Sequence, residues 1–153
     1  MEDQLENATS ILERFRLNNR VALVTGGGQG IGRAFAHALG EAGAKVAVVD
    51  IVSHRAETVA DELETKGFEA MAIAADITQV DQVEQMVKTI LGHWETLTIS
   101  VNNAGIAVGS AIEDVSMEDA LYQFEVNLFG IGRTVKAVLP HMRDQGSGTI
   151  INI

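Results

Sequence analysis

The chain has 153 residues, 46% of them hydrophobic, enough for one domain with a core and too few for two ordinary ones. Eleven Lys and Arg stand against 21 Asp and Glu, a net charge of −10 that argues against gripping a polyanion such as nucleic acid through a basic surface. Cysteine is absent, which excludes disulfides, thiolate nucleophiles and thiolate metal sites, and fits a reducing cytoplasm. The four histidines, His37, His54, His93 and His141, stand at unrelated spacings, so no metal site is expected. The start Met1-Glu2-Asp3-Gln4 is unlike a secretory signal, and no apolar run approaches the ~18 residues of a membrane span. A soluble, cytoplasmic protein with no membrane partner is expected.

In chain order, residues 1–19 form an extension. Met1, Leu5, Ala8, Leu12 and Phe15 fall in steps of four and three, which predicts a short amphipathic helix; a frayed segment is the alternative. From Arg20 the pattern becomes regular. Val21–Thr25, Lys45–Asp50, Ala70–Ala75, Leu97–Val101 and Thr149–Ile153 are short apolar runs, which read as strands buried on both faces, as in a parallel sheet. Between them lie helical stripes: Ile31, Phe35, Ala38 and Ala42; Ala56, Val59, Ala60 and Leu63; Val83, Met86, Val87 and Ile90. Thr78-x-x-Asp81 and Ser116-x-x-Asp119 have the form of capping boxes.

A last helical segment carries Leu121, Phe124, Leu128, Ile131, Val135, Val138 and Met142 on one face, with Tyr122, Val126 and Phe129 on a second, so burial on two sides is expected. Pro140 should bend or end it. The alternation predicts an α/β fold, a doubly wound parallel sheet of five strands over residues 20–153. The fifth strand coincides with the end of the sequence, and the expectation is a fold whose C-terminal part is missing.

The loop after the first strand, Thr25-Gly26-Gly27-Gly28-Gln29-Gly30-Ile31-Gly32, leads from a strand through glycines into a helix N-terminus. Such an end offers unpaired amides and a favourable dipole to an anion, phosphate above all. The P-loop pattern fails because Arg33 and Ala34 follow Gly32, and G-x-G-x-x-G fails because Ile31 stands where the third glycine belongs. What remains is T-G-x-x-x-G-x-G. The second strand then ends at Asp50, about 18 residues past Gly32, where a dinucleotide fold places an acid for the ribose hydroxyls. Capping of the next helix is the competing role for Asp50.

These residues resemble the short-chain dehydrogenase/reductase family, and the resemblance covers roughly Arg20 to Ile153. Thr25, Gly26, Gln29, Gly30, Ile31 and Gly32 lie in what looks like the family's cofactor loop. Asp76 with Ile77 looks like its adenine site, and Asn102-Asn103-Ala104-Gly105 like its N-N-A-G segment. Asn127 looks like the asparagine of its catalytic tetrad. The resemblance implies a Rossmann-like fold and an NAD(P)-dependent interconversion of a small alcohol and a carbonyl compound. It implies NAD rather than NADP, because the Asp50 carboxylate would repel a 2′-phosphate; Arg55 is the one nearby cation that could reverse this. It implies a homodimer or homotetramer at full length.

The family's serine and its Tyr-x-x-x-Lys pair are not in the 153 residues: the one tyrosine, Tyr122, is followed four residues later by Val126. The chain by itself is therefore expected to be inactive. Two further readings stay open, a non-catalytic dinucleotide-binding module or degenerate product, and a flavodoxin-like domain, which the glycine loop argues against.

Overall fold

A computed structural model describes residues 10–153; the positions Met1, Leu5 and Ala8 of the predicted N-terminal stripe lie outside them. Ser10 caps a single helical turn, α1 (Ile11–Arg14), and the Leu17 amide then donates to the Ala42 carbonyl at 2.7 Å. Five parallel strands follow, β1 (Val21–Thr25), β2 (Lys45–Asp50), β3 (Ala70–Ala74), β4 (Ile99–Asn102) and β5 (Thr149–Asn152), in the spatial order β3-β2-β1-β4-β5. Helices α2 (Gly30–Glu41), α3 (Ser53–Thr65), α4 (Val80–Trp94), α5 (Met117–Phe124) and α6 (Ile131–Asp144) connect them. No helix among the described residues is long and apolar enough to cross a membrane.

Alternation along β1 builds both layers, since successive side chains leave a strand on opposite faces. Val21 and Leu23 join a core with Val83, Met86 and Ile90 of α4 and Val138 and Met142 of α6. Ala22 and Val24 join a second core with Ala36 of α2 and Val59 and Leu63 of α3. Leu23, Leu63, Met86 and Ile90 are fully buried, each contributing about 1.5–3 kcal/mol. Both faces of the sheet are thus covered, and the doubly wound fold is as the alternation predicts.

The stripes on α3 and α4 are the ones expected, but α2 is turned. Its buried line is Gly32, Ala36 and Gly40, whereas Ile31 is 66% exposed. The smallest residues face inward because the helix lies too close for larger ones: a Cβ on Gly40 would come within 2.9 Å of Leu63 Cδ2. The edge strands also depart from burial on both faces. Ala72 and Ala74 of β3 are exposed, as are Thr149, Ile151 and Asn152 of β5.

Capping follows the sequence at one site only. Ser116 Oγ accepts from the Asp119 amide at 3.0 Å and donates to the Asp119 carboxylate at 2.7 Å. Thr78, in contrast, does not cap α4; the N-cap is Gln79, and the Thr78 amide and hydroxyl both donate to Asp76 Oδ1 at 2.8 Å. The Thr78 hydroxyl accepts instead from Gln79 Nε2 at 3.0 Å.

The last helical segment is interrupted. Between α5 and α6 the residues Glu125–Gly130 form a π-helical turn, which carries extra residues per turn and rotates one half of a helix against the other. The buried line becomes Val126, Gly130, Thr134, Val138 and Met142. Leu121, Phe124, Leu128 and Phe129 all lie more than half exposed, against the expected burial on two sides. Pro140 does not end the helix, which runs four residues further to Asp144.

Helices α2 and α3 are tied by Arg33 Nε and His37 Nε2, each 2.8 Å from Glu62 Oε2. Hydrogen bonding to Arg33, and secondarily to His37, holds the Glu62 carboxyl below its ordinary range. A depressed carboxylate pKa contributes stability above the ordinary range and loses it as pH falls through the folded value. The urea midpoint should therefore fall between about pH 6 and about pH 3 less steeply in Glu62→Gln than in wild type. Identical slopes would show that this half-exposed pair contributes nothing.

Candidate functional site

In an open parallel sheet the crevice forms beyond the carboxyl ends of the strands where the order reverses, here between β1 and β4. Register brings those ends level, with Thr25 beside Val49 and beside Asn102. A cavity of about 370 Å³ opens there.

Its floor is the glycine turn. Gly26 and Gly30 have φ of +62° and +53°, in the left-handed region that favours glycine. A Cβ on Gly32 would lie 2.1 Å from the Gly26 carbonyl oxygen, and one on Gly26 would lie 2.8 Å from Ala104 Cα, so α2 and the segment after β4 close on the turn without space for a methyl group. Above Gly30, by contrast, a Cβ would meet nothing within 4 Å. Gln29, the N-cap, makes no side-chain cap bond. The first turn of α2 thus faces the cavity with no side chain capping it, which suits an anion.

Thr25 and Asn103 hold the turn to β4. Thr25 Oγ1 accepts from the amides of Asn103 and Ala104, each at 3.1 Å, and Asn103 Nδ2 donates to the carbonyls of Thr25 at 3.1 Å and Gly26 at 3.3 Å. Thr25 does not line the cavity; it is a tie beneath it, while Asn103, Ala104 and Gly105 form a wall.

Asp50, 6% exposed, lies at the end of β2. Its Oδ2 accepts from the Gly28 amide at 3.1 Å and its Oδ1 from the Val52 amide at 3.0 Å, which leaves one lone pair on each oxygen. It therefore shapes the glycine turn as well as facing the cavity, and it does not cap the first turn of α3. Arg55, on that turn, lines the cavity beside it. Asp76 and Ile77 line it on the β3 side, next to Asp50, whose backbone carbonyl accepts from the Ala75 amide at 3.1 Å. The Asp76 amide donates to Gln82 Oε1 at 2.8 Å, a partner on α4 that no spacing singled out.

Asn127 does not line the cavity. Within the π turn its Oδ1 accepts from the Ile106 amide at 2.9 Å and its Nδ2 donates to the Ile106 carbonyl at 2.8 Å. A side-chain amide satisfying both backbone groups of one residue fixes that residue's place, and Ile106 lines the cavity. Tyr122, Val126, Val49, Ile51 and Ala75 complete the lining. They are apolar or aromatic residues of core type in sequence, and only packing shows that they edge a cavity.

Residues 20–153 match the family model described as short chain dehydrogenase. A 3-oxoacyl-(acyl-carrier-protein) reductase from Synechocystis sp. is 40% identical over 138 residues, covering 90% of this chain and 56% of that protein. Cyclohexanol dehydrogenase from Rhodococcus sp. (strain TK6) is 39% identical over 153 residues, 90% of this chain and 57% of the relative. A 7α-hydroxysteroid dehydrogenase, solved with NADH and 7-oxo glycochenodeoxycholic acid, superposes with a TM-score of 0.88 at 33% identity, over 92% of this chain and 55% of that one. This chain spans little more than half the length of those proteins. At this identity and coverage, with the glycine turn, Asp50 and Asn103-Ala104-Gly105 at one crevice and Asn127 behind its wall, the chain belongs to the short-chain dehydrogenase family of oxidoreductases.

Proposed function

We propose that this cleft binds NAD(H), in preference to NADP(H), and that the whole protein interconverts a small alcohol and a carbonyl compound. The observation that carries the reading is the glycine turn: helix N-terminus uncapped, open space over Gly30, and a buried Asp50 carboxylate lining the same cavity. Diphosphate at the helix end and ribose hydroxyls on the carboxylate are the chemistry those groups match. When bound, the nicotinamide gives up or takes the hydride. The chain's own residues shape the site around it. Gly26, Gln29, Gly30, Ile31 and Gly32 present the floor, and Asp76 and Ile77 the adenine end. Asn103, Ala104 and Gly105 form the wall, and Asn127 keeps that wall in place through Ile106.

NADH in excess should stabilise the protein, by about 2.7 kcal/mol at one hundred times its Kd. A thermal melt that does not move with NADH would sink the reading. Turnover is a separate matter. Proton transfer at the substrate oxygen is worth about 10²–10⁴-fold, and Tyr122 is followed at the fourth position by Val126 rather than lysine. The 153-residue chain is therefore expected to show no alcohol oxidation or ketone reduction, as judged by NADH absorbance; measurable turnover would reveal an acid/base group elsewhere. The relatives' names span acyl, cyclohexanol and steroid substrates, so the class proposed stays alcohol or carbonyl. The exposed face of Leu121, Phe124 and Leu128 supports a homodimer or homotetramer for the whole protein.

A further inference from the structure

The segment after β4 forms one wall of the cavity through Gly105 and Ile106, yet between residues 105 and 110 no backbone–backbone hydrogen bond ties it to any other described residue. It contains Gly105 and Gly109, residues that give the chain the most freedom to lose. Two side chains restrain it, and both come from one stretch of helix. Asn127 holds Ile106, as above. One turn earlier, Gln123 Oε1 accepts from the Val108 amide at 2.9 Å. The spacings agree: two residues of open chain reach up to about 7 Å, and four residues of helix advance about 6 Å. The helix thus offers acceptors to alternate amides, as a neighbouring strand does in a sheet.

We propose that Gln123 is a positioning residue for this cavity, its side-chain carbonyl fixing the wall of residues 105–108 through the Val108 amide. Val108 does not itself line the cavity, so Gln123 acts on the site only through the backbone. The use of that wall rests on the dinucleotide reading above; the restraint does not.

Gln123→Met keeps the side chain's length and removes the acceptor, whereas Gln123→Glu keeps an acceptor at the same reach. In the ligand-free chain, amide hydrogen exchange at Val108 and Ile106 should quicken by about tenfold in Gln123→Met and stay near wild type in Gln123→Glu, with melting temperatures alike. The Kd for NADH should rise several-fold in the Met variant and recover in the Glu variant. Val108→Pro removes the donor instead, should weaken NADH to the same degree, and should add nothing to Gln123→Met when combined; this arm decides the matter if Gln123→Met proves unstable. Unchanged exchange at Val108 in Gln123→Met would overturn the proposal, as would faster exchange with an unchanged Kd. A wild-type chain that takes no NADH, with exchange responding as stated, would instead overturn the dinucleotide reading and leave Gln123 as the restraint on the wall.

Discussion

Gly32→Ala is expected to lower NADH affinity by about 100-fold or more, equivalent to about 2.7 kcal/mol, and to destabilise the fold by about 3 kcal/mol, the upper end for overpacking. The added methyl would sit 2.1 Å from the Gly26 carbonyl oxygen and 2.5 Å from Asn103 Nδ2. Neither can retreat, because Asn103 is bonded to the Thr25 and Gly26 carbonyls and Gly26 is itself pressed on Ala104. The turn, α2 or the wall must move, and each is part of the cavity. Gly92→Ala is the control: it lies within α4 with nothing within 4 Å of the new methyl, so helix propensity alone should act and stabilise by up to about 1 kcal/mol. Calorimetric titration and thermal melts of both variants decide the matter. NADH affinity in Gly32→Ala equal to wild type would show that the cofactor does not use this turn.

Asp50→Ala should produce the second large effect, on stability and on cofactor choice together. Removal of the carboxylate leaves the amides of Gly28 and Val52, both part-buried, without their acceptor, at about 1 kcal/mol, the lower end for an unpaired donor. The same change removes the charge that would repel a 2′-phosphate, while Arg55 remains beside the site. The ratio of NADP to NAD affinity should therefore rise in Asp50→Ala. Asp50→Asn separates the two roles, since its carbonyl can still accept one amide but carries no charge; it should relax cofactor choice at a smaller cost in stability. Equal affinity of wild type for both cofactors would remove the assignment of Asp50 to the ribose.

How much of this was readable beforehand depends on whether the determinant was local. The strands β1 and β2 were legible to the residue, because a run such as Val46-Ala47-Val48-Val49 bounded by charge and glycine has no competing period. So were the buried stripes of α3 and α4, each a clean 3.6-residue repeat with polar residues between. In helix α2 hydrophobicity points to the wrong face, because closeness decides there: Gly32, Ala36 and Gly40 are buried for being small. Over residues 117–144 a uniform period fails because a π turn intervenes, so Leu121, Phe124 and Leu128 are exposed while Val138 and Met142, beyond it, lie in the core.

The candidate site divides in the same way. The glycine turn, Asp50, Asp76 and the N-N-A-G segment announce themselves as residue types at fixed intervals, and the crevice gathers them except for Asn102, whose side chain donates to Asn152 Oδ1 at 2.8 Å. What each side chain holds was not in the intervals. Thr25 and Asn103, 78 residues apart, weld the turn to β4; Thr78 serves Asp76 instead of a helix end; Gln82 and Gln123 serve backbone amides that pattern leaves unremarked. Sequence alone determined the α/β alternation, the strands and the chemistry on offer at the glycine turn, since these follow from neighbours within a few positions. Tertiary structure alone decided which helix face is buried, how closely the backbones approach and which polar group satisfies which, because those depend on residues brought together from far along the chain.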